Sequence, residues 1–245
     1  MLKFNSLLFI VAVGFCMNIN AESGLYNSVI VNSGSGSIVI DGKEVKTGDS
    51  SYGKGSGKQK SEKRNIGSFT RLEILLPADV NLSVGSAPSL KIRAESNVLK
   101  LIDARVQGDT LVLRSTKPFS THFSIDIQIT TPVLQSIDVR GAAGVRVSAV
   151  DSENLDLSVS GSGDVWAEGR VKRLQVRIDG SGDMDLSRLQ SIDANVRVSG
   201  SGDVKVHTSG HLVANVTGTG DIEYFGNPAR VEPHIVGVGD IYSGE

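Results

Sequence analysis

The sequence predicts an all-β protein, a single-stranded, right-handed parallel β-helix-like solenoid with rungs of about 19–20 residues and an N-terminal strand block. Three observations predict it. The composition, with 28 Gly, only 6 Pro and 5% aromatic residues, favours many short strands joined by turns. A turn of the type Gly-Ser-Gly-Asp recurs along the C-terminal half, and apolar residues alternate with polar ones on both sides of it.

The turns supply the period of the repeat. Their first glycines are separated by 20, 19, 20, 18 and 19 residues. The six turns are Gly141-Ala-Ala-Gly144, Gly161-Ser-Gly-Asp164, Gly180-Ser-Gly-Asp183, Gly200-Ser-Gly-Asp203, Gly218-Thr-Gly-Asp221 and Gly237-Val-Gly-Asp240. Glycine allows the backbone to turn with positive φ without a Cβ clash. We therefore predict a structural role for Gly161, Gly163, Gly180, Gly182, Gly200, Gly202, Gly218, Gly220, Gly237 and Gly239.

Two apolar columns flank the turns. The residues two positions before each turn are Val139, Val159, Ile178, Val198, Val216 and Ile235, and those directly after it are Val145, Val165, Met184, Val204, Ile222 and Ile241. Stacked parallel strands repeat such columns at about 4.8 Å, and several rungs must stack before any is stable. An antiparallel sandwich of hairpins is the alternative, but identical repeated turns favour a solenoid.

The chain divides into five segments. Lys3, the apolar run at residues 7–15 and the sequence Ile19-Asn-Ala21 predict a Sec signal peptide over residues 1–21, cleaved after Ala21. Residues 22–45 predict a short strand–turn–strand unit. Residues 46–65 hold no aliphatic side chain and are rich in Gly, Ser and Lys, which predicts a flexible basic linker. Residues 66–135 predict an N-terminal β block of the solenoid domain, and residues 136–242 predict its repeat rungs.

Several classes of protein are disfavoured. The only cysteine, Cys16, lies in the signal segment, so the mature chain lacks thiols for disulfides or metal ligands. A net charge of −2 argues against a nucleic-acid partner. No later apolar stretch reaches the roughly 18 residues of a membrane-spanning helix. The sequence thus predicts export through Sec to the periplasm, the cell surface or the medium, with no transmembrane segment after signal removal.

An aspartate column follows the turns and has two interpretations. It consists of Asp164, Asp183, Asp203, Asp221 and Asp240. Carboxylates stacked about 5 Å apart would attract Ca²⁺, whereas a structural role would have each side chain cap the backbone N–H groups of its own turn. We favour the structural role and expect neither a metal nor a cofactor. No catalytic residues are predicted, because no nucleophile motif, phosphate loop or distinct acid–base pair is visible.

Three residues are candidates for a ligand-binding face. Arg177 and Arg197 occupy equivalent positions in successive repeats and should be vertical neighbours, so a sulfated or carboxylated glycan would find paired guanidinium groups there. The alternative is an ordinary solvated face. Trp166, the only tryptophan, either anchors a sugar or partner from outside or is covered by the N-terminal block. The last rung has no visible cap, which suggests a homo-oligomer formed through it.

The order of the motifs resembles the head GIN domain family of autotransporter adhesins. The motifs are Ser68-Phe-Thr-Arg-Leu-Glu-Ile, Leu82-Ser-Val-Gly, Leu90-Lys-Ile and Asn97-Val-Leu-Lys, followed by serial Gly-Ser-Gly-Asp turns. The resemblance covers roughly residues 65–241 and implies a bacterial exported protein with a β-helical fold. It implies no defined biochemical activity.

Together these features predict an exported, non-catalytic envelope or surface protein, an adhesin-like module that binds an unknown glycan or an envelope or surface protein. Two alternatives stay open. One is a polysaccharide-active enzyme built on a β-helix, and the other is a structural component of the envelope.

Overall fold

The computed structural model describes residues 53–244, together with the backbone of five short strands that precede them. The expected signal peptide and the first part of the expected linker, residues 46–52, lie outside the described residues, apart from the strands β1 and β2. Within the described residues all regular structure is β-strand, and no helix is long and apolar enough to cross a membrane. The chain forms two units, residues 1–51 and 52–245.

The strands of the first unit are β1 (Val11–Ala12), β2 (Phe15–Cys16), β3 (Val29–Asn32), β4 (Ser37–Ile40) and β5 (Lys43–Val45). The second unit begins with β6 (Gly53–Lys54), β7 (Gln59–Arg64), β8 (Arg71–Leu75), β9 (Asp79–Val84), β10 (Ser89–Glu95), β11 (Ile102–Gln107), β12 (Thr110–Ser115), β13 (Phe119–Ser120) and β14 (Asp126–Thr131). It continues with β15 (Ser136–Gly141), β16 (Gly144–Gly161), β17 (Asp164–Gly180), β18 (Met184–Gly200), β19 (Val204–Thr208), β20 (His211–Gly218), β21 (Ile222–Phe225), β22 (Arg230–Gly237) and β23 (Ile241–Ser243). In the first unit β1 pairs with β2, and β3, β4 and β5 form an antiparallel sheet.

The second unit is a β-solenoid in which each rung has two strand segments. One segment precedes the glycine turn and the other follows it, and a second corner, near residues 152–154, 171–173 and 191–193, joins successive rungs. The pre-turn segments form one parallel ladder in the order β12, β8, β15, β16, β17, β18, β20, β22. The post-turn segments form another, in the order β14, β9, β16, β17, β18, β19, β21, β23. The predicted parallel solenoid is confirmed.

The predicted register is also confirmed. The six first glycines of the turns stack directly on one another, from Gly141 to Gly237. The apolar column after the turns does the same, from Val145 to Ile241. The side chains of the two apolar columns, before and after the turns, are almost completely shielded from solvent through most of the stack. Each such side chain contributes roughly 1.5–3 kcal/mol of hydrophobic stabilisation.

Close approach between backbones explains the glycines. The first glycine of every turn has positive φ, for example +129° at Gly200. A Cβ atom there would overlap the carbonyl oxygen of Gly180 in the preceding rung. The third residue of the turn, such as Gly202, does not need positive φ, but its Cβ would meet the carbonyl oxygen of Gly182. Both glycines are therefore required by stacking, and only the first is also required by its dihedral angle.

The N-terminal block stacks out of chain order. β8 and β9 form the rung next to β15 and β16, and β12 and β14 form the rung beyond them. Antiparallel strands finish this end of the solenoid: β11 pairs with β12, and β10 lies between β14 and β7. Residues 66–135 thus supply two rungs of the solenoid and strands of the layer that ends it.

The expectation of a flexible linker is wrong for residues 53–64. β7 is an edge strand of the solenoid, and β6 pairs with β13. The side chains of β7 are exposed and mostly charged, which protects an open sheet edge against pairing with other chains. At the end of β7 the guanidinium of Arg64 donates hydrogen bonds of 2.6 and 2.8 Å to the carbonyl oxygens of Ile102 and Leu99, which fixes the strand to this segment.

A buried carboxylate fastens the glycine-rich strand end to this edge. Glu95 is completely buried and accepts hydrogen bonds from the Thr121 hydroxyl (2.6 Å) and from the backbone N–H groups of Gly57 (2.6 Å) and His122 (3.0 Å). These bonds, that from Thr121 first, outweigh burial and lower the pKa of Glu95 to about 2. A Cβ atom at Gly55 would overlap the Glu95 carboxylate. The glycines here permit close packing and do not indicate flexibility.

The last rung exposes apolar side chains. Ile235, Val236, Val238 and Tyr242 are 43%, 54%, 80% and 46% exposed. Ile235 belongs to a column whose members are fully buried further up the stack. The homo-oligomer expected from this end stays a prediction.

The stacking of the turn glycines predicts that two Gly→Ala substitutions destabilise the protein to different extents. Gly141→Ala and Gly200→Ala both place a side chain at positive φ, which costs about 1–3 kcal/mol, but a Cβ at Gly141 meets no atom within 4 Å. Gly200→Ala must also displace the backbone of Gly180. We expect the free energy of unfolding, measured in urea, to fall clearly further for Gly200→Ala. Equal losses would contradict the role assigned to backbone approach.

The hydrogen bonds that the buried Glu95 carboxylate accepts, which we call the Glu95 clamp, predict that the stability of the protein depends on pH. Its pKa is lowered in the folded state, so its contribution is fully present above the ordinary value of 4.5 and disappears as the pH falls towards about 2. Glu95→Gln should therefore lower the melting temperature near neutral pH. The difference from the wild type should shrink between about pH 4.5 and pH 2. A difference that is the same at pH 7 and pH 2 would show that the carboxylate charge has no part in the clamp.

Candidate ligand-binding faces

Trp166 lies on the outer face of the post-turn ladder, which we call the post-turn face. Its side chain is half-exposed, and the N-terminal block does not cover it. The guanidinium carbon of Arg146, one rung away, lies 4.6 Å from the centroid of the indole ring. This distance is typical of a cation–π contact, which holds both side chains in place on an exposed surface. Of the two alternatives, burial of Trp166 under the N-terminal block is excluded, and its role as an anchor for a ligand stays a prediction.

The aspartate column has a glycine in place of an aspartate beside the indole. Gly144 stands where the later rungs have aspartate, and it stacks on Asp164. A Cβ atom at Gly144 would lie 3.8 Å from Cζ3 of Trp166 and 3.4 Å from Oδ1 of Asp79. Both distances are ordinary van der Waals contacts, and the missing side chain leaves an open position between Trp166 and Asp79. The departure from the repeat at Gly144 and the aromatic residue at Trp166 therefore form one local arrangement.

A groove of about 770 Å³ opens beside Trp166. Its walls combine the aromatic ring with cations, carboxylates, amides and hydroxyls. The polar lining residues are Asn81, Ser83, Gln128, Thr130, Arg146, Ser148, Glu168, Asp185 and Arg188. The ladder register shifts between Trp166 and Glu168, and such bulges re-aim side chains next to binding sites. Nine of the fourteen lining residues are polar or charged, so the groove surrounds one exposed aromatic ring with many hydrogen-bonding groups.

The carboxylate of Asp185 is engaged within the protein. It accepts hydrogen bonds from the backbone N–H (3.1 Å) and the hydroxyl (2.6 Å) of Ser187. In the next rungs of the same column Lys205 lies 2.9 Å from Glu223, whose hydrogen bond and charge raise the pKa of Lys205. Asp185, Lys205 and Glu223 stack on one another in register and alternate in charge. These C-terminal rungs of the post-turn face are thus paired internally.

Arg177 and Arg197 lie on the outer face of the pre-turn ladder, which we call the pre-turn face. They are direct neighbours in register, as predicted. Both line a groove of about 360 Å³ with Asp156, Gln175 and Asn195. Arg177 is half-exposed, and its Nη1 lies 4.0 Å from Oδ2 of Asp179, at the limit of an ion pair. The column becomes acidic towards the N-terminal block.

The structure does not bring the three candidate residues together. Trp166 and Arg177 belong to the same rung, but the second corner of β17 separates them. They line different grooves. The two faces are accordingly two separate candidate surfaces. Arg146 and Arg188 accompany Trp166, and Arg197 accompanies Arg177.

The aspartates form a ladder between rungs. The backbone N–H groups of Asp183, Asp203, Asp221 and Asp240 donate to Oδ1 of the aspartate in the preceding rung, at 3.0, 2.9, 2.8 and 2.8 Å. We expected each carboxylate to accept a hydrogen bond from an N–H group of its own turn. That expectation is wrong, because the N–H group belongs to the turn of the next rung. Each of these carboxylates bonds to the turn of the next rung, which the repeat brings directly above it. Among the described residues no three His, Cys, Asp or Glu side chains are grouped to hold a metal ion.

The N-terminal strands contribute residues that sequence reasoning did not assign to a site. Asn81 stacks on Arg146, and Gln128 stacks on Asn81. The repeat gives no signal for them, because β9 and β14 lie outside it and stack in reversed chain order. Their outward alternation with Val80, Leu82 and Ile129 was the only available hint.

Comparison with known proteins identifies a family. Residues 68–228, more than half of the chain, match the family described as "Putative auto-transporter adhesin, head GIN domain". No curated protein matches the sequence. Crystal structures described as putative adhesins from Bacteroides fragilis and Parabacteroides merdae share 22% and 20% identity with this chain, with TM-scores of 0.66 and 0.54. They cover 78% and 79% of this chain and 99% of their own, and at this identity they support the fold alone.

The aspartate ladder predicts the effect of substitutions at Asp203. Asp203→Asn keeps a side-chain oxygen for the N–H of Asp221, whereas Asp203→Ala removes it. We expect Asp203→Ala to lower the free energy of unfolding by about 0.5–1.5 kcal/mol and Asp203→Asn to lower it less. Urea unfolding with and without Ca²⁺ measures this. Stabilisation of the wild type by Ca²⁺, lost in both variants, would show that the column is a cation site instead.

Proposed function

Because the chain belongs to the head GIN domain family of auto-transporter adhesins, we propose that it is an exported, non-catalytic binding module. It holds an envelope or extracellular ligand against the post-turn face of a rigid solenoid. The observation that carries the proposal is the groove at Trp166, where an exposed indole, a stacked guanidinium and several polar groups meet. Tryptophan and arginine are the side chains that most often dominate binding energy.

The backbone supports this role. β16, β17 and β18 are hydrogen-bonded to neighbours on both sides along most of their length, so the groove is formed before a ligand arrives. Preorganised surfaces bind more tightly, because less conformational entropy is lost on association. The groove is within the size range of small-ligand sites. Residues that project from successive rungs suit a ligand with its own linear repeat.

Export is supported by the N-terminal sequence and by the family. Lys3, the apolar run and Ala21 predict a cleavable signal, and adhesins act outside the cytoplasm. The periplasm, the surface and the medium are all consistent with this proposal.

The binding role is tested with a glycan array followed by calorimetry and product analysis of the strongest ligands. We expect Trp166→Ala to weaken binding about tenfold or more. Tyr242→Ala removes an exposed aromatic from the same outward column, several rungs from the groove, and should leave affinity unchanged.

Two outcomes would contradict the proposal. Cleaved products would identify an enzyme. Binding that is insensitive to Trp166→Ala but lost in Arg177→Ala and Arg197→Ala would assign the ligand to the pre-turn face.

A further inference from the structure

The outer column that contains Trp166 continues across the N-terminal edge of the solenoid. Strand pairing places Arg146 next to Asn81, Asn81 next to Gln128, Gln128 next to Lys91 and Lys91 next to Lys63. All these residues are exposed. We call the six residues Lys63, Lys91, Gln128, Asn81, Arg146 and Trp166 the ladder strip. Five strand spacings of about 4.8 Å give it a length of roughly 24 Å.

The ladder strip is cationic, although the whole chain carries a net charge of −2. It contains three basic side chains and no carboxylate. Within the region that the structure describes, the ion pairs involve none of Lys63, Lys91 and Arg146, whereas Arg93 nearby is paired with Asp126 at 3.4 Å. Positive charges that are left without internal partners on one straight line can bind an anionic polymer.

A row of hydroxyl groups runs beside the ladder strip. Ser89, Thr130, Ser83 and Ser148 pair with one another in register, and each lies two residues from the member of the ladder strip on its own strand. Hydroxyls and amides both donate and accept hydrogen bonds, as sugar hydroxyls do. An indole at one end supplies an apolar surface for a sugar ring. Lipid headgroups would use the cations but not a straight row of hydroxyls, and nucleic acids would need more positive charge.

From this placement we propose that the ladder strip binds a linear acidic glycan, a carboxylated or sulfated polysaccharide that lies along the solenoid axis from Trp166 to Lys63. This inference rests on the proposed binding function and specifies its ligand class and footprint. The sugar at the Trp166 end packs against the indole and Arg146. Asn81 and Gln128 bind hydroxyls in the middle, and Lys91 and Lys63 pair with acidic groups at the far end.

The chain offers a matched control on a single strand. Lys63 and Lys60 both lie on β7 and are exposed, but Lys63 pairs with outward-facing Lys91 and Lys60 pairs with inward-facing Ala94. The two lysines therefore project from opposite sides of the strand. Lys63→Gln removes a charge from the ladder strip, and Lys60→Gln removes the same charge from elsewhere.

The experiment is calorimetric titration of the whole mature chain with oligogalacturonate and heparin-derived oligosaccharides of increasing length, at two salt concentrations. We expect Lys63→Gln combined with Lys91→Gln to weaken binding of long acidic oligosaccharides about tenfold. Short ones, which cover only the Trp166 end, should be unaffected. Lys60→Gln should bind like the wild type, and Trp166→Ala should weaken both lengths. Added salt should reduce the affinity for long acidic ligands most.

Other outcomes separate this inference from the proposed function. Equal binding of neutral and acidic oligosaccharides, lost in Trp166→Ala, would overturn the acidic-glycan inference and leave the binding function standing. Equal binding of single-stranded DNA or of phosphatidylglycerol vesicles would also overturn it, since the strip would then bind any polyanion. Cleavage of the oligosaccharides would overturn the proposed function itself. Unchanged melting temperatures of the variants exclude misfolding as the cause of weak binding.

Discussion

The close approach of one turn backbone to the next is the constraint on which the solenoid depends. At Gly180, Gly200 and their equivalents, a carbonyl oxygen of the preceding rung occupies the place where a Cβ atom would stand. Rungs can then stack only with their turns aligned. Once the turns are aligned, the apolar residues on both sides fall into continuous interior columns, and each aspartate carboxylate reaches the N–H of the next turn. Register, core and surface columns all follow from the same contact.

Because the rungs stack in register, equivalent outward residues of successive repeats form straight columns on the surface. A residue that differs from its equivalents in the other repeats therefore changes the surface at one place. Gly144 interrupts the aspartates, and Trp166 occupies the space beside it. The C-terminal rungs pair their own charges, as Lys205 does with Glu223. Towards the N-terminal block, Lys63, Lys91 and Arg146 take part in none of the ion pairs of the described residues, although Arg93 beside them is paired with Asp126. The proposed binding role rests on the part of the post-turn face where these three cations lie in line with Trp166.

The sequence predicted the repeat rungs well, because a 19–20-residue period and identical turns are visible without any structure. It placed Arg177 beside Arg197 correctly for the same reason. The N-terminal block lacks a period, so nothing in the sequence showed that β12 and β14 stack outside β8 and β9. The ladder strip depends on that order and could not be predicted.

Glycine caused the main error. In residues 53–57 a run rich in Gly, Ser and Lys has the composition of a flexible linker. The structure uses the same glycines for close packing: a Cβ at Gly53 would lie 2.6 Å from Leu101 Cδ1, and one at Gly55 would overlap Glu95. Composition cannot distinguish these two uses, because both follow from the missing side chain. The partner of each aspartate was also mistaken, since contacts between rungs are long-range in sequence.

Residue-resolved hydrogen exchange of the backbone amides in the turns tests the stacking of the rungs most directly. We expect the N–H groups of Asp183, Asp203 and Asp221 to exchange slowly, near the rate of global unfolding, because each is bonded to the preceding aspartate despite lying at an exposed turn. Exchange at the rates of unprotected loop amides would contradict it, since the turns would then not be held together.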